Sequence, residues 1–211
     1  DFFFFFFKKY KPKYIIMIII ALIYISLLYI FGLGNNILDT ISLIKYAVLT
    51  PMLISVFMID YKHQIIPNRL NLTIFETGLA FAFLEGISNL SVGLTLGIDR
   101  FLGMIVGGGI FLLITLIGGL IAGKEAMGFG DVKLMGALGL FFGWVNMIIL
   151  SLIAFLLGAI ISIILLITKI KKTHEYIPFG PFIVIGAFIT MLIPYEYLQF
   201  ILIKIFTLGM A

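Results

Sequence analysis

Met127-Gly128-Phe129-Gly130-Asp131-Val132-Lys133-Leu134-Met135-Gly136-Ala137-Leu138-Gly139 puts a carboxylate at the mouth of an apolar, glycine-rich helix. An ionisable side chain in such a setting is expensive in a bilayer and marks a functional position. A second carboxylate, Asp60, closes another apolar segment through Phe57-Met58-Ile59-Asp60. Two aspartates are therefore expected to meet at one membrane face and to share a proton there.

The surrounding chain sets the solvent. Its 211 residues are 63% hydrophobic and 11% charged, with a mean hydropathy of +1.25, which leaves too little polar surface to cover a water-soluble globule. Apolar segments of spanning length recur along the whole sequence, so they read as membrane spans rather than as one targeting signal. The expected fold class is all-α, a polytopic transmembrane helical bundle of about seven membrane helices. There is no cysteine, hence no disulfide, thiol nucleophile or thiolate metal site. His63 and His174 are the only histidines, too few for a multi-histidine metal centre and poor support for a histidine-based triad. No metal or cofactor is expected, and carboxylate chemistry remains.

Residues 1–13 read as an N-terminal cytoplasmic or interfacial segment. Asp1 and the six phenylalanines after it cannot span alone and look like an incompletely represented start. Residues 14–211 read as one membrane-embedded domain, with no soluble insertion and no persuasive internal repeat. Spans are expected at 14–33, 43–60, 70–87 (carrying Glu76 and Glu85) and 101–122, the last rich in glycine with Gly103 and Gly107 spaced for close helix packing. A short helix follows Asp131, is interrupted at Gly143-Trp144-Val145-Asn146, and leads into a long span to about Thr168. A final span runs from Pro178-Phe179-Gly180-Pro181 to about 203, with a kink expected at Pro194.

Basic residues test that layout. Lys8, Lys9, Lys11, Lys13, Lys62, Arg69, Lys124, Lys133, Lys169, Lys171 and Lys172 fall on one side, against Lys45, Arg100 and Lys204 on the other. The asymmetry predicts a cytoplasmic N-terminus and puts Asp60 and Asp131 on the cytoplasmic side. Within hydrogen-bond reach, like charge and partial desolvation would leave one acid and one base between them, a pair suited to water attack on a peptide bond. Gly128 and Gly130 are expected to use backbone angles closed to other residues and to let a substrate backbone approach Asp131. Gly136 and Gly139 would keep the helix behind it thin. Plainer readings stand beside these: Asp131 as the N-cap of the following helix, Asp60 as an interfacial terminator, Lys133 and Glu125 as solvated flanks, and His63 and His174 as surface.

Three stretches resemble one family. The segment 125–139 is similar to the GxGD region of bacterial type IV prepilin peptidases, Phe57–Asn68 resembles that family's first-aspartate region, and Ile177-Pro178-Phe179-Gly180-Pro181-Phe182 resembles its late IPFGPF segment. The resemblance runs from about residue 43 to 190. It implies a GxGD-type aspartyl endopeptidase of the bacterial inner membrane, with Asp60 and Asp131 catalytic, Gly128, Gly130, Lys133, Pro178 and Gly180 supporting the cleft, and no cofactor. Its partners would be membrane lipid and the short basic leaders of type IV prepilins or pseudopilins, in pilus biogenesis or type II secretion, with no nucleic acid.

Many members of that family also carry an N-terminal domain with paired CxxC motifs and an N-methyltransferase activity that uses S-adenosylmethionine. Methylation is not expected of the residues present here. Asn68 stands where members often have Asp, with little expected damage to cleavage. A carboxylate-dependent ion or proton-coupled transporter is the rival from another class, and a structural assembly subunit is the third reading.

Overall fold

A computed structural model describes residues 12–32, 36–88, 92–122, 127–168 and 177–206, and every regular element among them is a helix. In chain order these are α1 (Pro12–Phe31), α2 (Ile37–His63), α3 (Asn68–Ser88), α4 (Gly93–Ala122), α5 (Phe129–Phe142), α6 (Trp144–Ile167), α7 (Gly180–Leu192) and α8 (Tyr195–Phe206). Helices α2, α3, α4 and α6 are long and apolar enough to cross a membrane, and α1 and α7 are shorter apolar helices. The expectation of an all-α polytopic membrane bundle therefore holds. Lys8, Lys9, Lys11, Lys124, Glu125, Lys169, Lys171, Lys172, His174 and Phe2–Phe7 lie outside the described residues.

Two compact units divide the chain at Pro51. In the first, Tyr24 donates its hydroxyl to the Ala47 carbonyl at 3.2 Å, and Phe31 meets Tyr46 with ring centroids 5.5 Å apart. Lys45, counted above as a topology marker, is 1% exposed, with its Nζ 4.7 Å from the centre of the Tyr46 ring.

The second unit, from Met52 onward, is organised around α5. This helix packs against α3, α4, α6 and α7 and buries most of its length, including Val132, Leu134, Met135, Leu138 and Phe141. A helix that is apolar on every side is stable in a core or in lipid, and this one is enclosed by its neighbours. Its 14 residues amount to about 21 Å, short of the roughly 30 Å hydrocarbon core of a bilayer.

Glycine makes the enclosure possible. A Cβ on Gly103 of α4 would meet the Gly139 carbonyl and the Gly143 backbone, one on Gly139 would meet Gly103, and one on Gly107 would lie 2.6 Å from the Met135 carbonyl oxygen. The small-residue spacing read from the sequence is thus a backbone-to-backbone seam between α4 and α5. Gly103→Val is expected to lower stability by about 3 kcal/mol, because the obstacle is main chain that cannot rotate away. Thermal melting in detergent measures this, and an unchanged midpoint would contradict the seam.

Hydroxyls inside these helices are satisfied locally. Thr73, Thr77, Thr115, Ser151 and Thr190 each donate to the carbonyl four residues earlier, at 2.7–2.9 Å, which removes the cost of an unpaired donor in an apolar setting. Of the two acids expected in the third span, Glu85 is buried and Glu76 lies exposed about two turns into α3.

Differences from the sequence reading have local causes. The expected final span is two helices, because Ile193 before Pro194 is extended (φ −111°, ψ 127°) and ends α7, and proline at 194 has no N–H to continue the ladder. The interruption after α5 is Gly143 alone, whose φ of 79° suits glycine and lets α6 begin at Trp144. Arg100 is no free topology marker either. Its Nε pairs with Glu85 at 2.9 Å and its guanidinium lies 3.6 Å from Asp99, while Asp99 also accepts the Trp144 N–H at 3.3 Å.

Candidate active site

Asp60 lies in the last turn of α2, whose remaining residues Tyr61, Lys62 and His63 are exposed. It does not terminate the helix. Gln64 does, in a left-handed conformation (φ 56°), with its N–H bonded to the Asp60 carbonyl at 2.8 Å. A non-glycine residue pays for that conformation, so Gln64→Gly is expected to stabilise the protein by about 1 kcal/mol. The melting temperature would report it, and a fall would contradict it.

The Asp60 side chain turns inward and is 3% exposed. Its Oδ2 accepts the Gly180 N–H at 2.9 Å. Gly180 opens α7, so the carboxylate faces the positive end of a helix, where unpaired N–H groups favour an anion. A Cβ at Gly180 would lie 2.5 Å from Asp60 Oδ2 and 2.9 Å from its Cγ. Pro178 is half-buried just before this turn. Phe179 holds the turn in place: its ring packs with Phe111, Phe155 and Phe182 at centroid distances of 5.4–5.8 Å, and a Cβ on Gly158 of α6 would approach that ring to 2.8 Å.

Asp131 is equally buried, at 3% exposure. It is not the N-cap of α5. That position is Gly128, extended at φ −66° and ψ 135° with no side-chain cap, and the Asp131 N–H bonds to the Gly128 carbonyl at 3.0 Å. The Asp131 Oδ1 has no hydrogen-bond partner among the described residues. A buried acceptor left open in this way is costly and calls for an explanation. The chain just past α2 reaches the start of α5, where Ile66 lies against Gly130, the residue before Asp131.

The glycines of this turn have ordinary backbone angles. Gly128 has ordinary extended angles, and Gly130 lies in the first helical turn, outside the positive-φ residues. The expectation of backbone angles closed to other residues is corrected here, because a helix start needs none. At Gly130 a Cβ would stand 3.3 Å from Ile66 Cβ. Lys133 is exposed; it donates to Asn68 Oδ1 at 2.9 Å and lies 5.3 Å from the centre of the Phe129 ring, tying the first turn of α5 to the first of α3. Asn68 thus serves as an acceptor for lysine. Asn71 of α3 escaped the sequence reading, and its Nδ2 donates to the Gly130 carbonyl at 3.0 Å.

The family model described as the type IV leader peptidase family matches residues 47–163, which include both aspartates. The chain belongs to the type IV leader peptidase family. Among its relatives, the prepilin leader peptidase/N-methyltransferase of Aeromonas hydrophila is 33% identical over 144 residues, covering 68% of this chain and 47% of that protein. That of Legionella pneumophila is 35% identical over 152 residues, 72% of this chain and 50% of that protein. For Pseudomonas aeruginosa the figures are 34% over 156 residues, 72% and 51%. The chain thus spans about half the length of these relatives. No solved structure matches it. The leader peptidase match ends before Ile177–Phe182, so the tie between that segment and the aspartates is the Gly180–Asp60 bond itself.

Proposed function

We propose that this chain is an aspartyl leader peptidase that removes the short basic leader of type IV prepilins or pseudopilins at the cytoplasmic face of the bacterial inner membrane. The observation that carries the reading is a buried pair of carboxyls, one of them held by a backbone N–H and the other with an open oxygen. Family membership supports a peptidase, and the names of the relatives support prepilins as substrates.

In the proposed mechanism the pair holds one proton. The ionised carboxyl, Asp60 on the Gly180 N–H, takes a proton from water, and the neutral Asp131 donates its own to the scissile carbonyl oxygen as water adds to the carbon. The roles then reverse: the tetrahedral adduct returns a proton to Asp131, its C–N bond breaks, and Asp60 protonates the departing amine. The products are a leader ending in a carboxylate and a shortened protein with a new N-terminal amine. The balance of basic residues supports a cytoplasmic site, since Lys62, Arg69 and Lys133, all near the aspartates in sequence, are exposed. A basic leader would dwell on that side, with its apolar continuation in lipid. The proposal covers cleavage alone.

A type IV prepilin reconstituted in lipid with the purified chain tests it. Mass spectrometry is expected to find the prepilin shortened by its leader. An intact prepilin, under conditions where the Pseudomonas aeruginosa relative cleaves it, would overturn the reading.

A further inference from the structure

We infer that Asn71 is a positioning residue of this peptidase, setting the place of Asp131 through the carbonyl of Gly130. The inference rests on the aspartyl reading above and adds a residue to it.

Asn71 is 4% exposed, and among the described residues its side chain makes one hydrogen bond, from Nδ2 to the Gly130 carbonyl at 3.0 Å. That carbonyl belongs to the peptide whose nitrogen is that of Asp131, so the bond fixes the plane from which the carboxyl projects. The N–H of the same peptide is bonded to the Gly128 carbonyl at 3.0 Å inside α5, and Asn71 adds the side-chain tie that sets this peptide against α3. Gly128 caps α5 without a side chain, Gly130 has none, and the Asp131 carboxyl has one oxygen with no partner among the described residues. The start of α5 is tied to α3 by Asn71 on Gly130, which is part-buried, and by Asn68 on Lys133, which is exposed.

The other arm of the amide, Asn71 Oδ1, is buried and unpartnered among the described residues, as is Asp131 Oδ1. A residue kept only to hold two helices together would be expected to satisfy both arms, since an open buried acceptor costs stability. Asp131 Oδ1 and the Oδ1 of the side chain that grips its preceding residue each keep an open acceptor for a donor such as the attacking water. The alternative of an ordinary core asparagine explains the Nδ2 bond and leaves Oδ1 unexplained.

Asn71→Leu keeps the branching of the side chain and deletes the grip, and Asn71→Ala is the milder deletion. With a prepilin as substrate, kcat is expected to fall about 10-fold to 100-fold, the scale of a misplaced catalytic group, with KM within about twofold. Because the chain has no cysteine, Asp131→Cys supplies a lone thiol whose maleimide labelling rate reports on position 131, and adding Asn71→Leu should change that rate. The inference is overturned if a folded Asn71 variant keeps wild-type kcat, if the thiol labels at an unaltered rate, or if neither variant folds, which would make the residue structural. Asp131→Asn runs in parallel. If it still cleaves, the aspartyl reading itself fails; if it is dead while the Asn71 variants are active, only this inference fails.

Discussion

Replacing Asp131 or Asp60 by asparagine is expected to reduce prepilin cleavage by about 10³-fold or more, a loss typical of removing an acid–base group. Asparagine matches aspartate in shape and cannot relay the proton, so packing around each site should survive. Asp131→Asn is the cleaner case, since its Oδ1 meets no donor among the described residues and an amide there breaks no bond to that atom. Asp60→Asn can keep the Gly180 contact through its remaining oxygen. Both variants should therefore melt near the wild type. Replacing both should cost little more than replacing one, because groups that act as a unit are non-additive. Full activity in either single variant would remove that residue from the mechanism.

Gly180→Ala is expected to cost about 100-fold in kcat, although only one methyl group is added. The new Cβ would stand 2.5 Å from Asp60 Oδ2, well inside van der Waals contact, so either the carboxyl swings away or the start of α7 moves. Retreat of α7 is resisted by Phe179, wedged between the Phe111, Phe155 and Phe182 rings and against Gly158. Displacement of Asp60 is the easier relief, with loss of the Gly180 N–H bond. Stability should change little, which separates this variant from Gly103→Val, where main chain meets main chain along α4 and α5. Wild-type turnover by Gly180→Ala would show that the carboxyl has room to spare.

Much of this arrangement is legible in the sequence because bilayer physics is a coarse filter. Twenty apolar residues in a row have few alternatives to a helix, and α1, α2, α3, α4 and α6 follow from that count. The aspartates are conspicuous because acids are rare among such segments. Helix ends are less legible: Asp60 looks like a stop, yet the chain makes another turn to His63 and closes on left-handed Gln64, a conformation few sequences announce. Lys45 and Arg100 look like solvent charges until their partners are seen, for a pairing between segments leaves no trace in local composition. Asn71 was hidden for the same reason, one polar residue in an apolar helix whose meaning comes from Gly130 on another. The Ile177–Phe182 segment had a meaning only by resemblance until the Gly180 N–H was found on Asp60.

The absence of cysteine from these 211 residues allows the central claim, that residues 60 and 131 converge on one site, to be tested by cross-linking. In the double variant Asp60→Cys/Asp131→Cys, a short bifunctional thiol reagent applied to intact membranes should join the two positions within one chain, and protection of either thiol should abolish the product. Two thiols that each react with a monofunctional maleimide, yet are never joined, would contradict the account.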